Sequence, residues 1–311
     1  MRHLQTFRLI EAVVRTGSIR KAAEEMHLTA SALNRRIQRF EEEFGSQVFE
    51  RLPRGMRLNP AGELLIQHVR QQEAELAAVR SRVADLTGER LGHVGIACSQ
   101  ALMPFFLPAE IARYRHAHPG VGFTVDVRDR VAAEQALQRF ECDIALVFEP
   151  VNLIRFEVLH AVPQRVHAVF ASDHPLAAND DAADVRLRDC LGWPCLLPSA
   201  RYGVRCLLER ALHESRHGRG AVLESDSFDF MRHYVRHERA VAFQIPIGLD
   251  TSAGDIVSRP LAARDVAAGE LLLGRLSGRT LPVAAARFAQ QAADALDRAS
   301  ASGDAGLRGG P

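Results

Sequence analysis

The sequence predicts a mainly α-helical head with a winged helix-turn-helix, then a long linking helix, then a larger α/β body. Three observations support this fold class. Short helical patterns and a basic hairpin occupy residues 1–58, one apolar repeat runs through residues 60–88, and strand and helix patterns alternate afterwards. With 311 residues, 25% charged and 47% apolar, the chain is too apolar for a disordered protein and too charged for a membrane bundle.

Three helical patterns open the head. The first repeats apolar residues at helical spacing, at Leu4, Phe7, Ile10 and Val14. Gly17 breaks this pattern, so that Ser18 can cap a second helix, and Thr29 can cap a third helix that ends at Gly45. The third helix has an apolar stripe at Leu33, Ile37, Phe40 and Phe44. Two helices joined by a tight turn predict a helix-turn-helix.

The polar face of the third helix carries the side chains that major-groove readout uses. Asn and Gln can pair with adenine, Arg with guanine, and hydroxyl groups with bases or phosphates. The helix N-terminus at Thr29 also favours a nearby phosphate. An ordinary solvated face explains the same composition equally well at this point. The candidate DNA-binding residues on these helices are Ser18, Thr29, Ala30, Ser31, Asn34, Arg35, Gln38 and Arg39.

A hairpin and a charge imbalance favour the DNA-binding interpretation. Two short strand-like pieces flank a turn-forming stretch at residues 52–55, which predicts a β-wing with the candidate DNA-binding residues Arg51, Arg54 and Arg57. Residues 1–60 contain 11 Lys and Arg against 7 Asp and Glu, net +4. The other 251 residues contain 28 against 31, net −3. The overall charge of +1 therefore hides a basic head on an acidic body.

The head resembles a known family. The segment from Phe7 to Arg51, with its Gly-Ser, Ala-Ala, His-Leu-Thr and Phe-Glu-Arg positions, continues into PRGMRLNPAGE at residues 53–63. It is similar to the winged helix-turn-helix signature of LysR-type transcriptional regulators. The family usually has Gln-Pro at Ala30-Ser31 and Ser at Asn34. These departures fall on the third helix, so they affect the expected operator sequence and not the expected fold.

A long helix follows the wing. Asn59 is a capping residue, and Pro60 occupies the first helical position, where its missing N–H costs nothing. Apolar residues then step by four and three up to Gly88, which predicts a coiled-coil seam with one polar position. A helix packed on its own domain is the alternative to a dimer. In the resembling family this helix forms the dimer, which implies a pseudo-palindromic operator. The seam residues are Leu65, Val69, Gln72, Leu76, Val79, Val83 and Leu86.

Beyond Arg90, strand and helix patterns alternate. Strand patterns lie at residues 93–98, 121–127, 143–148, 166–171, 195–197, 221–224, 240–245 and 269–276. Helical patterns lie at residues 101–118, 131–140, 204–214, 228–236 and 282–298. This alternation predicts mostly parallel, helix-covered sheets.

The order of elements resembles the LysR-type effector domain, which has two α/β lobes like those of periplasmic solute-binding proteins. The resemblance implies lobe I at about 90–161 and 268–298, and lobe II at about 162–267. The expected divisions are a DNA-binding domain at 1–59, a dimerisation helix at 60–88, an effector-binding domain at 90–298 and a disordered, glycine-rich tail at 299–311.

Ligands of such sheets bind beyond the carboxyl ends of the strands. Arg128 and Arg130 follow the second strand of the body and suggest an anionic effector. Equally, both could be surface arginines paired with Asp126 and Asp129. The candidate effector-binding residues are Ser99, Gln100, Arg128, Arg130, Phe148, Glu149, Pro198, Ser199, Arg201, Tyr202, Ser227, Gln244 and Pro246.

Two other function classes fit parts of the sequence. His213, Glu214 and His217 match the H-E-x-x-H pattern of zinc hydrolases, but Gly218 and Gly220 end the helix at the second histidine, which favours a chance match. A solute-binding module with a protein-binding head is the other alternative. We therefore expect a regulator that is not an enzyme, has no cofactor or metal, and binds double-stranded DNA, a small effector and further copies of itself.

Cysteine usage and hydropathy suggest the compartment. The five cysteines are odd in number and include no C-x-x-C, which favours small buried hydrophobic residues over a redox role. No stretch approaches the roughly 20 apolar residues of a membrane span, and the N-terminus has no apolar run typical of a signal peptide. We expect a cytoplasmic protein.

Overall fold

The computed structural model describes residues 2–52, 55–86, 91–178, 184–215, 221–250 and 254–305. Side chains are described in these ranges except at 2–4, 213–215 and 301–305. The chain divides into two compact units, residues 1–77 and residues 78–311.

The first unit contains the predicted helix-turn-helix. Its elements are α1 (Arg2–Thr16), α2 (Ile19–Glu25), α3 (Ala30–Phe44), β1 (Phe49–Leu52) and β2 (Gly55–Leu58). Both predicted caps are confirmed: the Ser18 hydroxyl accepts the N–H of Lys21, and the Thr29 hydroxyl accepts the N–H of Ala32. Gly45 ends α3 in the left-handed conformation, with φ 80°.

The apolar stripe of α3 forms much of the core of this unit. Leu33, Ile37 and Phe40 are buried against α1 and α2. Phe44, the last predicted stripe residue, is 48% exposed and stacks on Phe40 with ring centroids 5.5 Å apart. The stripe therefore leaves the core in the last turn of α3.

The two wing strands are joined to the turn between α1 and α2. Strands β1 and β2 pair antiparallel, with Arg51 opposite Met56. The N–H of Met56 donates to the carbonyl of Gly17 at 2.9 Å. A Cβ atom at Gly55 would lie 2.5 Å from that carbonyl oxygen, so only glycine fits this close approach.

The long helix α4 (Pro60–Leu86) begins where the cap predicted it. The Asn59 side-chain oxygen accepts the N–H of Gly62 at 2.8 Å, and its amide donates to the carbonyl of Gln47, also at 2.8 Å. Asn59 thus satisfies one of the free N–H groups at the start of α4 and joins that start to the segment before β1.

The predicted seam of α4 is wrong in its first two positions. Leu65 and Val69 are 6% and 0% exposed and belong to the core of the first unit, because three short helices and a two-stranded wing need a further apolar surface to close that core. Leu76 is half-buried. The remaining seam residues are exposed, and they are Gln72, Val79, Val83 and Leu86.

In the part of the body that the structure describes, two five-stranded sheets are present. The first has the order β4-β3-β5-β12-β6 and consists of β3 (Gly92–Cys98), β4 (Val121–Val127), β5 (Ile144–Phe148), β6 (Phe156–Gln164) and β12 (Gly269–Leu276). The second has the order β11-β7-β10-β8-β9 and consists of β7 (His167–Ala171), β8 (Cys195–Pro198), β9 (Leu223–Ser225), β10 (Val241–Gln244) and β11 (Ile256–Pro260). The helices are α5 (Phe106–Ala117), α6 (Arg130–Gln138), α7 (Leu187–Cys190), α8 (Gly203–Ser215), α9 (Phe228–Tyr234) and α10 (Val283–Ala305).

The sheets are mixed and not mostly parallel. Strand β3 pairs parallel with β4 and β5, but β12 pairs antiparallel with β5 and β6. Likewise β8 pairs parallel with β9 and β10, whereas β7 pairs antiparallel with β10 and β11. The antiparallel strands are those by which the chain crosses between the sheets, β6 to β7 and β11 to β12.

Two helix boundaries of the body differ from the predicted ones by more than two residues. A short 3₁₀ turn at Gln100–Leu102 precedes Pro104, and α5 starts only at Phe106, because proline has no N–H for the interior of a helix. Helix α10 continues to Ala305, so residues 299–305 are helical where a disordered tail was expected. The alanines of this stretch are good helix formers and extend the closing helix. The remaining predicted tail lies outside the described residues.

Candidate nucleic-acid interface and effector cleft

The outward face of α3 carries exposed polar side chains. This helix, which the sequence predicts to contact the major groove, is called the recognition helix. Arg35 and Gln38 are exposed, and no hydrogen bond or ion pair engages either of them within the described ranges. Ser31 is exposed in the first turn of the helix, with its hydroxyl 3.2 Å from that of Thr29. Ala30 is the first residue of the helix and contributes no polar side chain.

Three predicted DNA-binding residues also have structural partners. The hydroxyls of Ser18 and Thr29 are used as helix caps. Arg39 forms an exposed ion pair with Glu43 one turn later, at 3.0 Å. Such an exposed pair contributes at most about 1 kcal/mol, so Arg39 can exchange Glu43 for a phosphate.

The wing contributes Arg51, whose guanidinium donates to the side-chain oxygen of Asn34 at 3.0 Å. A wing residue and a recognition-helix residue are therefore joined directly. Arg57 is exposed on β2. Arg54 lies outside the described residues.

The predicted effector residues lie where the strands of the two sheets end. The N–H of Ser99 donates to Leu146, and the N–H of Arg128 donates to Cys98, which aligns the carboxyl ends of β3, β4 and β5. In the other lobe the N–H of Ser199 donates to Ser225, which aligns β8 with β9. The two sets of loops meet along one boundary between the lobes, called the cleft here, where Gln100 contacts Phe228.

Side chains from the two lobes meet in this cleft. The side-chain oxygen of Gln100 accepts the N–H of Phe228 at 2.7 Å. Arg130 donates to the carbonyl of Glu149 at 3.0 Å and to the thiol of Cys206 in the other lobe at 3.2 Å. Arg210 lies 3.8 Å from the Glu149 carboxylate. The lobes are thus in contact at several points.

Two glycines allow this close contact. A Cβ atom at Gly203 would lie 2.6 Å from the carbonyl oxygen of Phe148 and 2.6 Å from the Cβ atom of Glu149. A Cβ atom at Gly248 would lie 2.4 Å from the carbonyl oxygen of Ala101. Backbone of one lobe therefore packs directly on the other at both places.

Two arginines at the cleft, Arg128 and Arg201, form only long, partly exposed ion pairs with acidic residues. Arg128 lies 3.7 Å from both Asp126 and Glu141, and its side chain is 39% exposed. Arg201 lies 3.6 Å from Asp226, with 54% of its side chain exposed. The predicted pairing of an arginine with Asp126 is present. Asp129 instead accepts the N–H of Ala132 at 2.8 Å and caps α6.

Tyr202 and Phe228 form an aromatic wall of the cleft. Tyr202 is 8% exposed, and its ring centroid is 5.2 Å from that of Phe228. Burial, reinforced by Asp226, raises the pKa of Tyr202. The hydroxyl of Tyr202 therefore stays protonated and can donate a hydrogen bond.

The other predicted effector residues mainly build the walls. Gln244 is 4% exposed and donates to the carbonyl of Gly248 at 2.9 Å. Ser227 caps α9 by accepting the N–H of Phe230. Pro246 begins a 3₁₀ turn, whereas Phe148 and Pro198 are buried ends of strands. Sequence reasoning missed Cys206, Arg210, Gly203 and Gly248, which carry no local motif.

Comparison with known proteins decides the family. The family model for the LysR substrate binding domain matches residues 87–297, and the model for the bacterial regulatory helix-turn-helix protein of the lysR family matches residues 4–63. The chain belongs to the LysR family. It combines the helix-turn-helix of this family with its substrate-binding domain.

Individual proteins resemble this LysR-family protein in sequence or in fold. The RuBisCO operon transcriptional regulator of Allochromatium vinosum is 28% identical over 186 residues, which span 60% of this chain and 61% of that protein. Full-length OxyR from Pseudomonas aeruginosa has a similar fold, with a TM-score of 0.70 and 19% identity over 94% of both chains. Full-length CbnR in complex with its target DNA has a TM-score of 0.62 and 14% identity, over 93% of this chain and 98% of that one.

The zinc-hydrolase pattern of the sequence falls outside the described side chains. His217 lies outside the described residues, as do the side chains of His213 and Glu214, and elsewhere in the described ranges no cluster of three metal-ligating side chains occurs. Burial raises the pKa of the Cys98 thiol to about 12 and that of Cys195 to about 11. These thiols are buried core residues, as predicted. No described helix is long and apolar enough to cross a membrane.

Proposed function

We propose that this LysR-family protein binds a pseudo-palindromic operator as a homodimer or as a homotetramer made of two such dimers, and that a small anionic effector bound between the lobes controls its activity. Residues 1–59 bind DNA, residues 60–88 bring two copies together, and residues 90–298 bind the effector. The observation that carries the proposal is the recognition helix α3, which exposes Arg35 and Gln38 on a head of net charge +4, from 11 Lys and Arg against 7 Asp and Glu in residues 1–60.

The proposal of an anionic effector depends on the long ion pairs that two arginines form at the cleft. Arg128 and Arg201 are partly exposed, and their acidic partners are 3.6–3.7 Å away. Exposed pairs of this kind contribute little, so a ligand carboxylate can displace Asp126 or Asp226. The hydroxyl of Tyr202, for which the described residues supply no hydrogen-bond acceptor, is a further donor at the same cleft.

Replacing Arg35 by alanine should reduce discrimination between operator and random DNA by about tenfold, because a bidentate arginine contact contributes about 1–3 kcal/mol. The measurement is a gel-shift titration of full-length protein against the DNA upstream of its own gene, at two salt concentrations. Affinity of the unsubstituted protein should fall steeply with salt, because arginine–phosphate contacts release counterions. A solute-binding module with a protein-binding head would show no specific shift. An unchanged operator-to-random ratio in Arg35→Ala would contradict the assigned role of Arg35.

Replacing Val79 and Val83 together by glutamate should separate the dimer and weaken operator binding by about 100-fold, because one head then binds one half-site without the gain from a linked second head. These side chains are 51% and 55% exposed on α4. Sedimentation velocity gives the oligomeric state, and the same gel shift gives the affinity. Arg80→Glu, an exposed position between them, is the matched control. A double variant that remains dimeric would remove α4 as the dimer interface.

A further inference from the structure

The contact between Asn34 and Arg51 changes what this position of the recognition helix can recognise. Asn34 is half-buried on α3, and its side-chain oxygen accepts a hydrogen bond from Arg51 on β1, 17 residues away in sequence, at 3.0 Å. No carboxylate pairs with Arg51 within the part of the chain that the structure describes. Asn34 therefore lies beside an uncompensated positive charge.

The chemistry of the two groups determines the orientation of the amide. A guanidinium has only donors, so the oxygen of Asn34, and not its NH₂ group, must face Arg51. Within the described residues, both hydrogens of the Asn34 amide then remain available, together with the other N–H groups of Arg51. The pair presents a surface of donors with a positive charge.

This surface does not suit adenine. A bidentate contact between asparagine and adenine requires the asparagine oxygen to accept from the N6 amino group. That oxygen already accepts from Arg51, and the charge of the guanidinium repels a second donor. Guanine presents two acceptors, O6 and N7, in the major groove. We propose that Asn34 and Arg51 act as one recognition unit that selects guanine, with Asn34 positioning the guanidinium; this inference rests on the proposed operator binding.

The alternative is a bond that only joins the wing to α3. If the bond is purely structural, its loss should change protein stability and leave the preferred base unchanged. If the pair recognises a base, substitutions of Asn34 and of Arg51 should change the preference at the same base pair in each half-site. The two alternatives are separated by a base-preference profile, since binding strength alone would fall in both cases.

The experiment is selection of full-length protein from a random-sequence duplex library, followed by sequencing and by thermal melting of each variant. The variants are Asn34→Ala, Asn34→Asp and Arg51→Lys, and Gln38→Ala on the same helix is the matched control. We expect one guanine in each half-site whose preference falls by about tenfold in Asn34→Ala and in Arg51→Lys, since the unit makes one bidentate contact. Asn34→Asp should shift that position towards cytosine, because an aspartate accepts from the cytosine amino group. Gln38→Ala should alter a different position.

The outcomes separate this inference from the proposed function. If the unsubstituted protein enriches no sequence, operator binding and the Asn34–Arg51 unit both fail. If it enriches a palindromic motif and Asn34→Ala leaves every position unchanged, only the unit is overturned. A motif in which Asn34→Ala abolishes a preference for adenine likewise overturns it, because Asn34 would then accept from adenine directly.

Discussion

Replacing Arg279 by alanine should lower the free energy of unfolding of the effector-binding unit by about 3–5 kcal/mol, since loss of one partner leaves a buried charge without compensation. Arg279 follows β12, and only 8% of its side chain is exposed. It is paired with Asp143, which is 13% exposed, and it donates to the carbonyl of Cys142 at 2.7 Å. The guanidinium also lies over the ring of Phe140, with its carbon 5.3 Å from the ring centroid.

The size of this effect follows from the position of Asp143. Its second oxygen accepts the N–H of Gly95 on β3 at 2.8 Å, so the carboxylate joins β3, β5 and the segment after β12. Without Arg279 the carboxylate must stay buried and unpaired, take up a proton, or leave the site. Each course weakens the contact between these three segments.

Urea denaturation of the full-length protein, followed by circular dichroism, measures the change. Arg275→Ala is the matched control, because its pair with Glu157 is 28% and 38% exposed and should contribute no more than about 1 kcal/mol. Asp143→Asn combined with Arg279→Ala should recover part of the loss, since no buried charge remains. Equal losses in Arg279→Ala and Arg275→Ala would show that burial of the pair is unimportant.

Replacing Gly203 by alanine should keep the two lobes apart. The added Cβ atom would lie 2.6 Å from the Phe148 carbonyl oxygen and from the Glu149 Cβ atom, and backbone there cannot give way as a flexible side chain does. We expect destabilisation of about 1–3 kcal/mol, typical of overpacking. The contacts of Arg130 with Cys206 and of Arg210 with Glu149 should be lost with it.

Two measurements test the Gly203 prediction. Small-angle scattering should show a larger radius of gyration for Gly203→Ala, and thermal melting with a panel of small carboxylates should show a reduced ligand-induced shift. Gly192→Ala, in the same lobe, is the control, because its Cβ atom would make an ordinary contact of 3.4 Å with Asp189. A Gly203→Ala protein with unchanged dimensions and unchanged carboxylate response would show that the lobes need not approach this closely.

The elements with strong periodicity or clear caps could be predicted from the sequence. The recognition helix, the cap at Asn59 and the strand at Gly269–Leu276 all lie where their patterns placed them. Strand β6 could not be found, because Val158 and Leu159 are both exposed on this edge strand and the alternation is lost. The apolar face of α4 could be predicted but its partner could not, since a repeat of apolar residues does not say whether Leu65 contacts its own core or a second chain.

In the candidate sites, too, exposure could be predicted from the sequence but contacts between separate elements could not. Exposed Arg35 and Gln38 could be predicted, because a helix of known phase places them opposite its apolar stripe. The bond between Asn34 and Arg51 joins a helix to a strand, and the bond between Arg130 and Cys206 joins two lobes. Neither has a local signature, since both depend on how separate elements pack. The same holds for Gly203, whose need for glycine arises from backbone far away in sequence.

The junction of the wing strands with the first turn has a thermodynamic consequence. Met56 is hydrogen-bonded to Gly17, and Gly55 packs on the same carbonyl, so β2 is already fixed when the head folds. Ordering a backbone residue costs about 1–2 kcal/mol in conformational entropy, and for these wing strands that cost is met during folding and not during association with DNA. Association should therefore show little of the large unfavourable entropy that accompanies coupled folding and binding.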